Sequence, residues 1–247
     1  MKPSISVIVP ALNEEGNLES TIHDILLSLG RGFSSYELLL INDGSTDRTA
    51  IIADGLASEN SNIKVIHHAT NQGLGYSLRE GFQRASKEYV MWYPGDNGMQ
   101  QPSLAVMFQH TGKADLIIPY IANPEFRSRA RRMVSQAYVS LLNAIFGLDL
   151  KYYNGVVIYR SDLIKKVKTS TQGFAFLAEA LIRMIKEGST YEEVPTFHRE
   201  RSHGESKAFR LQNFLDVFRM IHVLLWDFAF RKPPSTADDK TPVTRLS

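Results

Sequence analysis

Four polar clusters stand directly after short apolar, β-branched runs, where side chains could meet a ligand. They are Val9-Pro10-Ala11-Leu12-Asn13-Glu14-Glu15, Leu40-Ile41-Asn42-Asp43-Gly44-Ser45-Thr46-Asp47, Asn71-Gln72-Gly73-Leu74-Gly75 and Met91-Trp92-Tyr93-Pro94-Gly95-Asp96-Asn97-Gly98-Met99-Gln100. A carboxylate at a strand tip, as Asp43 would be, accepts hydrogen bonds from a nucleobase imide or a ribose hydroxyl. A hard divalent cation bridging two phosphates needs only one or two carboxylates, and Asp96 is a candidate for one of them. Each cluster also has a plainer reading. Glu14 and Glu15 suit the acidic first turn of a helix. Asp43 to Asp47 reads as a turn and helix cap, and Pro-Gly-Asp-Asn is a turn signal by itself. The third cluster lacks the last glycine of a dinucleotide loop, and no lysine-bearing phosphate loop occurs.

Cations form the second group. Phe126-Arg127-Ser128-Arg129-Ala130-Arg131-Arg132 is by default a solvated charge run. Arginine is nevertheless the side chain best suited to bidentate phosphate binding, and Arg131 is the expected contact. Glu179 is the one candidate general base, required only if the acceptor is a hydroxyl; otherwise it is a solvated residue in the first turn of a helix. No Ser-His-Asp arrangement and no evident carboxylate pair is present. His67, His68, His198 and His203 lack metal-binding helical spacing, and with no cysteine in the chain a zinc site is not expected.

The elements that must position these groups follow from periodicity. Buried strands are predicted at Ile5–Val9, Tyr36–Ile41, Ile63–His67, Tyr89–Tyr93, Asp115–Tyr120 and Gly155–Tyr159. Leu18, Ile22, Ile25, Leu26 and Leu29 form one helical stripe that Gly30 stops. A second helix follows Asp47 with Ser45 or Thr46 as its cap, and a third runs from about Gly75 through Ala85. Further helices are expected over 125–147, 173–187 (amphipathic) and 207–231. The order predicts an α/β, mostly parallel sheet flanked by helices, with ligands at the carboxyl ends of its strands.

Composition sets outer limits. The chain has 247 residues, 43% hydrophobic and 22% charged, ordinary for a globular protein with a sizeable core. A net charge of +2 gives no case for nucleic acid. The N-terminus does not read as a signal peptide, because Ser6 and Pro10 interrupt its apolar run and acidic residues follow. No apolar window is long enough to cross a membrane. One domain over residues 1–232 is expected, followed by a disordered tail over 233–247.

Taken together, "SVIVPALNEE", "LLINDGSTDRT", "NQGLG" and "GDN" at four successive strand tips resemble a family-2 glycosyltransferase with the GT-A fold. Gly173-Phe174-Ala175-Phe176-Leu177-Ala178-Glu179, Val194-Pro195 and Arg201-Ser202-His203-Gly204-Glu205-Ser206-Lys207 resemble the branch of dolichol-phosphate mannose synthase and polyprenyl-phosphate glycosyltransferases. The resemblance implies that Pro10, Asn13 and Glu14 line a nucleoside pocket and that Asp43 contacts base or ribose. It further implies that Asp96 holds Mg²⁺ or Mn²⁺ against the diphosphate, with Gln100 behind it, and that Arg127, Arg131, Arg201, Ser206 and Lys207 bind phosphate of donor and acceptor. Two departures stand out. The family's metal motif usually has two aspartates one residue apart, and here a single one remains. Its D-x-T/S-G-F-R segment appears as Tyr152 to Arg160 with only the glycine matching.

The implied reaction is transfer of a sugar from a UDP- or GDP-linked donor to a polyprenyl phosphate, with inversion and metal assistance. A transferase using a lipid or saccharide hydroxyl, and a non-catalytic nucleotide-sugar-binding protein of the same fold, are the alternatives. A phosphate acceptor is already anionic at neutral pH, since its second pKa is about 6, so no strong base is needed. Leu211, Phe214, Leu215, Phe218, Ile221, Leu224, Leu225 and Phe228 lie on one predicted helical face. That face either docks on the catalytic domain or a second subunit, or rests on a membrane surface through residues 209–230. The expected location is peripheral, on the cytoplasmic face, with a homodimer or a membrane partner as open associations.

Overall fold

The computed structural model of the chain describes residues 2–30, 32–95, 99, 101–170, 175–198 and 211–230. Among these, seven strands form one sheet: β1 (Ser4–Ala11), β2 (Ser35–Asn42), β3 (Ile63–His67), β4 (Tyr89–Trp92), β5 (Leu116–Ile121), β6 (Ile158–Arg160) and β7 (Tyr191–Thr196). The order is β3-β2-β1-β4-β6-β5-β7. β1 to β4 are mutually parallel, β6 runs antiparallel to both β4 and β5, and β7 returns parallel to β5. The helices are α1 (Leu18–Leu29), α2 (Thr49–Glu59), α3 (Leu74–Arg84), α4 (Gln101–His110), α5 (Arg129–Phe146), α6 (Ser161–Ile164), α7 (Phe176–Lys186) and α8 (Leu211–Phe230). The expected mostly parallel sheet flanked by helices is therefore present.

The central strands are apolar without alternation because helices cover both faces of the sheet. Ile5, Val7, Ile8 and Val9 of β1 and Leu38 to Ile41 of β2 are all buried. A carboxylate also lies among these central strands. Glu37 of β2 is buried and accepts hydrogen bonds from the Ser6 hydroxyl, the Ser86 amide and hydroxyl, and the Lys64 ammonium. Burial raises its pKa, but these four donors outweigh that and hold it at about 2.

Several local expectations need correction. Neither Ser45 nor Thr46 caps α2; Asp47 Oδ1 accepts from the Thr49 amide instead. α7 has the expected amphipathic pattern, but its polar side is not solvated, for every residue from Phe176 to Ile185 is buried. Its outer side is covered by α8, through the 2.7 Å ion pair of Arg183 with Asp227. The apolar face of α8 is divided. Met220 and Leu224 are buried and Val217, Ile221 and Phe228 pack on the core, whereas Leu215, Phe218, Leu225, Trp226 and Phe230 are exposed. α4 and β7 were not foreseen as elements. No helix among the described residues is long and apolar enough to cross a membrane.

Candidate active site

The polar clusters meet at the carboxyl ends of β1, β2, β3 and β4. The chain after β1 and the chain after β2 are laced together by reciprocal bonds. Asn13 N–H donates to Ser45 Oγ, Glu14 N–H to Thr49 Oγ1 and Glu15 N–H to Asp47 Oδ2. In return Thr46 N–H donates to Asn13 Oδ1 and Arg48 N–H to Glu15 Oε2. Asn13 sits at φ 56°, a left-handed conformation that asparagine tolerates better than most residues. The lacing therefore fixes the Asn13–Glu14 backbone as a shaped edge.

Asp43 is the pin of the neighbouring loop. Its Oδ1 accepts from Gln72 N–H at 2.9 Å and from His68 Nδ1 at 2.7 Å, and its Oδ2 accepts from Gly73 N–H at 2.9 Å. Gly44, just beyond it, has φ 73°, and a Cβ there would lie 2.5 Å from Asn71 N. Only glycine lets the β2 tip approach the β3–α3 loop this closely. The sequence offered Asp43 as a ligand contact or a turn; its three bonds to the NQG loop and His68 are the feature that reading lacked.

The segment carrying Asp96 is anchored on both sides. The Thr21 hydroxyl donates to Gly95 C=O at 3.0 Å, and Gly95 lies against Pro10 C=O and the Glu14 side chain. Beyond it, the Tyr93 hydroxyl donates to Met99 C=O, and Met99 bridges His198 after β7. Pro10, Glu14 and Gly95, the residue before Asp96, are thus brought together. Asp96, Gln100, Arg201, Ser206 and Lys207 themselves lie outside the described residues.

Arg127 precedes α5, whose first turn is capped by Ser128 accepting from Arg131 N–H. The Arg127 guanidinium lies over the Tyr152 ring at 5.8 Å. Its charge, together with burial as the larger cause, pushes the His198 imidazole down to about 4. Arg127 therefore stands on the His198–Met99 side of the site. The Asn123 side chain clamps the same corner, exchanging two hydrogen bonds with the His198 backbone.

Glu179 is not solvated. Its side chain is wholly buried in the first turn of α7, and both carboxylate oxygens accept from Ser170 N–H while Arg183 donates twice to Oε1. Arg183 bonds Asp227 as well, so a Glu179–Arg183–Asp227 chain ties α7 to α8. An i, i+4 Glu–Arg spacing is ordinary on a surface helix. Nothing in the local sequence distinguishes this buried pair from a solvated one.

Among the described residues no group of three or more His, Asp or Glu side chains could enclose an ion. The described residues that flank the Asp96 segment, Gly95 and Met99, are held by Thr21 and Tyr93, and Gly95 lies beside Pro10 and Glu14.

The profile of Glycosyl transferase family 2 matches residues 6–167, well over half of the chain. The chain belongs to that family. It is a glycosyltransferase. It is 27% identical to the undecaprenyl-phosphate mannosyltransferase of Micrococcus luteus over 241 residues, covering 92% of this chain and 95% of that protein. It is 24% identical to the dodecaprenyl-phosphate galacturonate synthase of Rhizobium johnstonii, covering 90% of this chain and 67% of that protein. Among solved structures, glucosyl-3-phosphoglycerate synthase from Mycobacterium tuberculosis, in complex with Mn²⁺, UDP and phosphoglyceric acid, superposes with a TM-score of 0.64. That match is at 21% identity and covers 89% of this chain and 78% of that one. The seven-stranded arrangement is accordingly a GT-A-like fold.

Proposed function

We propose that this glycosyltransferase moves one sugar from a nucleoside-diphosphate sugar to a polyprenyl phosphate, inverting the anomeric centre by direct displacement. The observation that carries the reading is the near end-to-end similarity to an undecaprenyl-phosphate mannosyltransferase. The state of Glu179 supports it. A carboxylate bonded to Ser170 and Arg183 is poorly placed to take a proton, and a phosphate acceptor asks for none.

In this reading Pro10, Asn13 and Glu14 form the wall of the nucleoside pocket, and Asp43 meets the nucleoside from the pinned loop. Asp96 would hold Mg²⁺ or Mn²⁺, which when bound offsets the charge of the departing diphosphate. Gln100 stands behind that position. Arg127, Arg131, Arg201, Ser206 and Lys207 bind donor and acceptor phosphates, acting where negative charge accumulates. The catalytic unit spans residues 1–232, with 233–247 as a tail. It works peripherally at the cytoplasmic face of a membrane, which the prenyl acceptor occupies.

The test is calorimetry of the full chain against UDP and GDP, each with Mn²⁺, Mg²⁺ or EDTA, followed by a sugar panel with undecaprenyl phosphate. Metal-dependent binding of one nucleotide, lost in Asp96→Ala, and an inverted lipid-linked product are expected. Binding of neither nucleotide removes the transferase assignment of this site.

A further inference from the structure

His68 stands one residue past β3, and both of its ring nitrogens face carboxylates. Nδ1 lies 2.7 Å from Asp43 Oδ1 and Nε2 lies 2.7 Å from Glu80 Oε2. A neutral imidazole donates from only one nitrogen and would turn a lone pair toward the second carboxylate. Two contacts this short on two acceptors therefore call for the doubly protonated ring. The side chain is only 8% exposed, which strengthens both contacts. The turn after β2 contributes Asp43; α3 contributes Glu80, the Tyr76 ring edge-on at 5.3 Å and, behind Glu80, Arg84. The adjacent His67 is differently engaged. Asn42 Oδ1 accepts from Ser45 N–H, so its Nδ2 donates to His67 Nδ1, leaving His67 Nε2–H for Asp54.

We propose that His68 is a positioning residue of the donor site: bridging Asp43 and Glu80, it locks the Asp43 carboxylate in the orientation that holds the Gln72–Gly73 loop. The donor part of this inference rests on the transferase reading above; the loop part does not. Without the bridge, Asp43 and Glu80 become two carboxylates facing a neutral ring, and Asp43 is free to turn from the Gln72 and Gly73 amides. Burial lowers the His68 pKa, but the bonds and charges of Asp43 and Glu80 outweigh it and raise the pKa above 6.5. A raised folded-state pKa means the bridge is complete below about 6.5 and is lost as pH rises through the higher value. The same pair of contacts pulls the Glu80 pKa down against its own burial.

The experiment is an NMR titration of the labelled full chain between about pH 5 and about pH 9, on wild type, His68→Gln and Glu80→Gln. In wild type the His68 ring should titrate above 6.5, and the Gln72 and Gly73 amide shifts should follow the same inflection. In Glu80→Gln the inflection should move down in pH. In His68→Gln the two amides should not titrate and should sit near their wild-type high-pH positions. A His68 ring that is already neutral near pH 6, or amides that ignore its titration, overturns the proposal. UDP and GDP affinities are then measured across the same range. Wild type should lose about tenfold with rising pH, and His68→Gln should show the weaker affinity throughout with no such step. An identical pH step in His68→Gln overturns the link to the donor. Absence of any nucleotide binding in wild type instead defeats the transferase reading, while the amide titration still decides the loop.

Discussion

Glu179 illustrates how far residue type and spacing carry an argument. Its candidacy as a base follows from being a carboxylate on a helix near the implied acceptor segment. Its surroundings, a buried Arg183 and the Ser170 amide, come from a fold the local sequence does not display. Removing its charge leaves Arg183, itself only 5% exposed, with Asp227 alone. Breaking one side of a buried pair costs about 3 kcal/mol. Glu179→Gln should therefore lower the melting temperature by roughly 6 °C for a chain of this size. Turnover per folded molecule with a phosphate acceptor should stay within about threefold of wild type. Thermal denaturation and steady-state kinetics check this together. A hundredfold fall in kcat without loss of stability would make Glu179 the base and the acceptor a hydroxyl. Asp43 and Asn13 were visible as strand-tip residues. His68 occupies an equivalent position after β3, but its partners Asp43 and Glu80 lie 25 and 12 residues away, so local spacing does not reveal its role.

At the scale of elements, the alternating apolar runs and helical stripes placed β1 to β5 and α1 to α3 closely. The failures have physical reasons. α4 follows a segment so rich in turn residues that its buried Ser103, Leu104, Met107 and Phe108 stripe was absorbed into the turn. β7, Tyr191-Glu-Glu-Val-Pro-Thr, carries two acids and a proline, which argue against a central strand. It lies at the sheet edge, where Pro195 is exposed and lacks no ladder partner that the fold needs. Packing between elements is tested at Gly81, where α3 crosses β1. A Cβ there would come within 2.9 Å or less of three carbons of buried Ile8. Alanine gains about 1 kcal/mol of helix propensity over glycine, but overpacking a closed core costs about 1–3 kcal/mol. Gly81→Ala should be destabilising by about 1 kcal/mol in denaturant unfolding; a stabilised variant would mean that Ile8 yields. Glu37 supplies the pH counterpart. Its folded pKa of about 2 lies below the ordinary 4.5, so its contribution is intact above 4.5 and lost as pH falls toward 2. Glu37→Gln should cost about 2 kcal/mol at neutral pH, after discounting for the exposed Lys64. The difference from wild type should close on acidification, as followed by circular dichroism.

For the whole molecule, the open question is what covers the outer face of α8. Docking explains only half of this helix. Val217, Met220, Ile221, Leu224 and Phe228 face the core, and Phe146 of α5 meets Phe228 edge-on at 6.2 Å. Leu215, Phe218, Leu225, Trp226 and Phe230 remain exposed, as do Met133, Val134 and Leu141 on α5. A predicted single apolar stripe is thus two, because helix periodicity fixes which residues share a side but not how wide a strip the core accepts. Docking on the catalytic domain accounts for the inner side of this helix; for the outer side we propose a lipid surface, the occupant that would suit a prenyl-linked acceptor. The chain contains two tryptophans, and Trp92 is buried in β4, so Trp226 is the natural reporter. Mixed with vesicles of neutral and anionic lipid, the full chain should sediment with them, and its fluorescence should shift to the blue as Trp226 leaves water. Replacing Phe218 and Trp226 by serine removes about 3 kcal/mol of burial, about a hundredfold in partitioning. Trp226→Ser alone should abolish the spectral shift while leaving much of the sedimentation. A chain that ignores vesicles yet doubles in mass in solution, and becomes monomeric on the double substitution, would assign this face to a second copy instead.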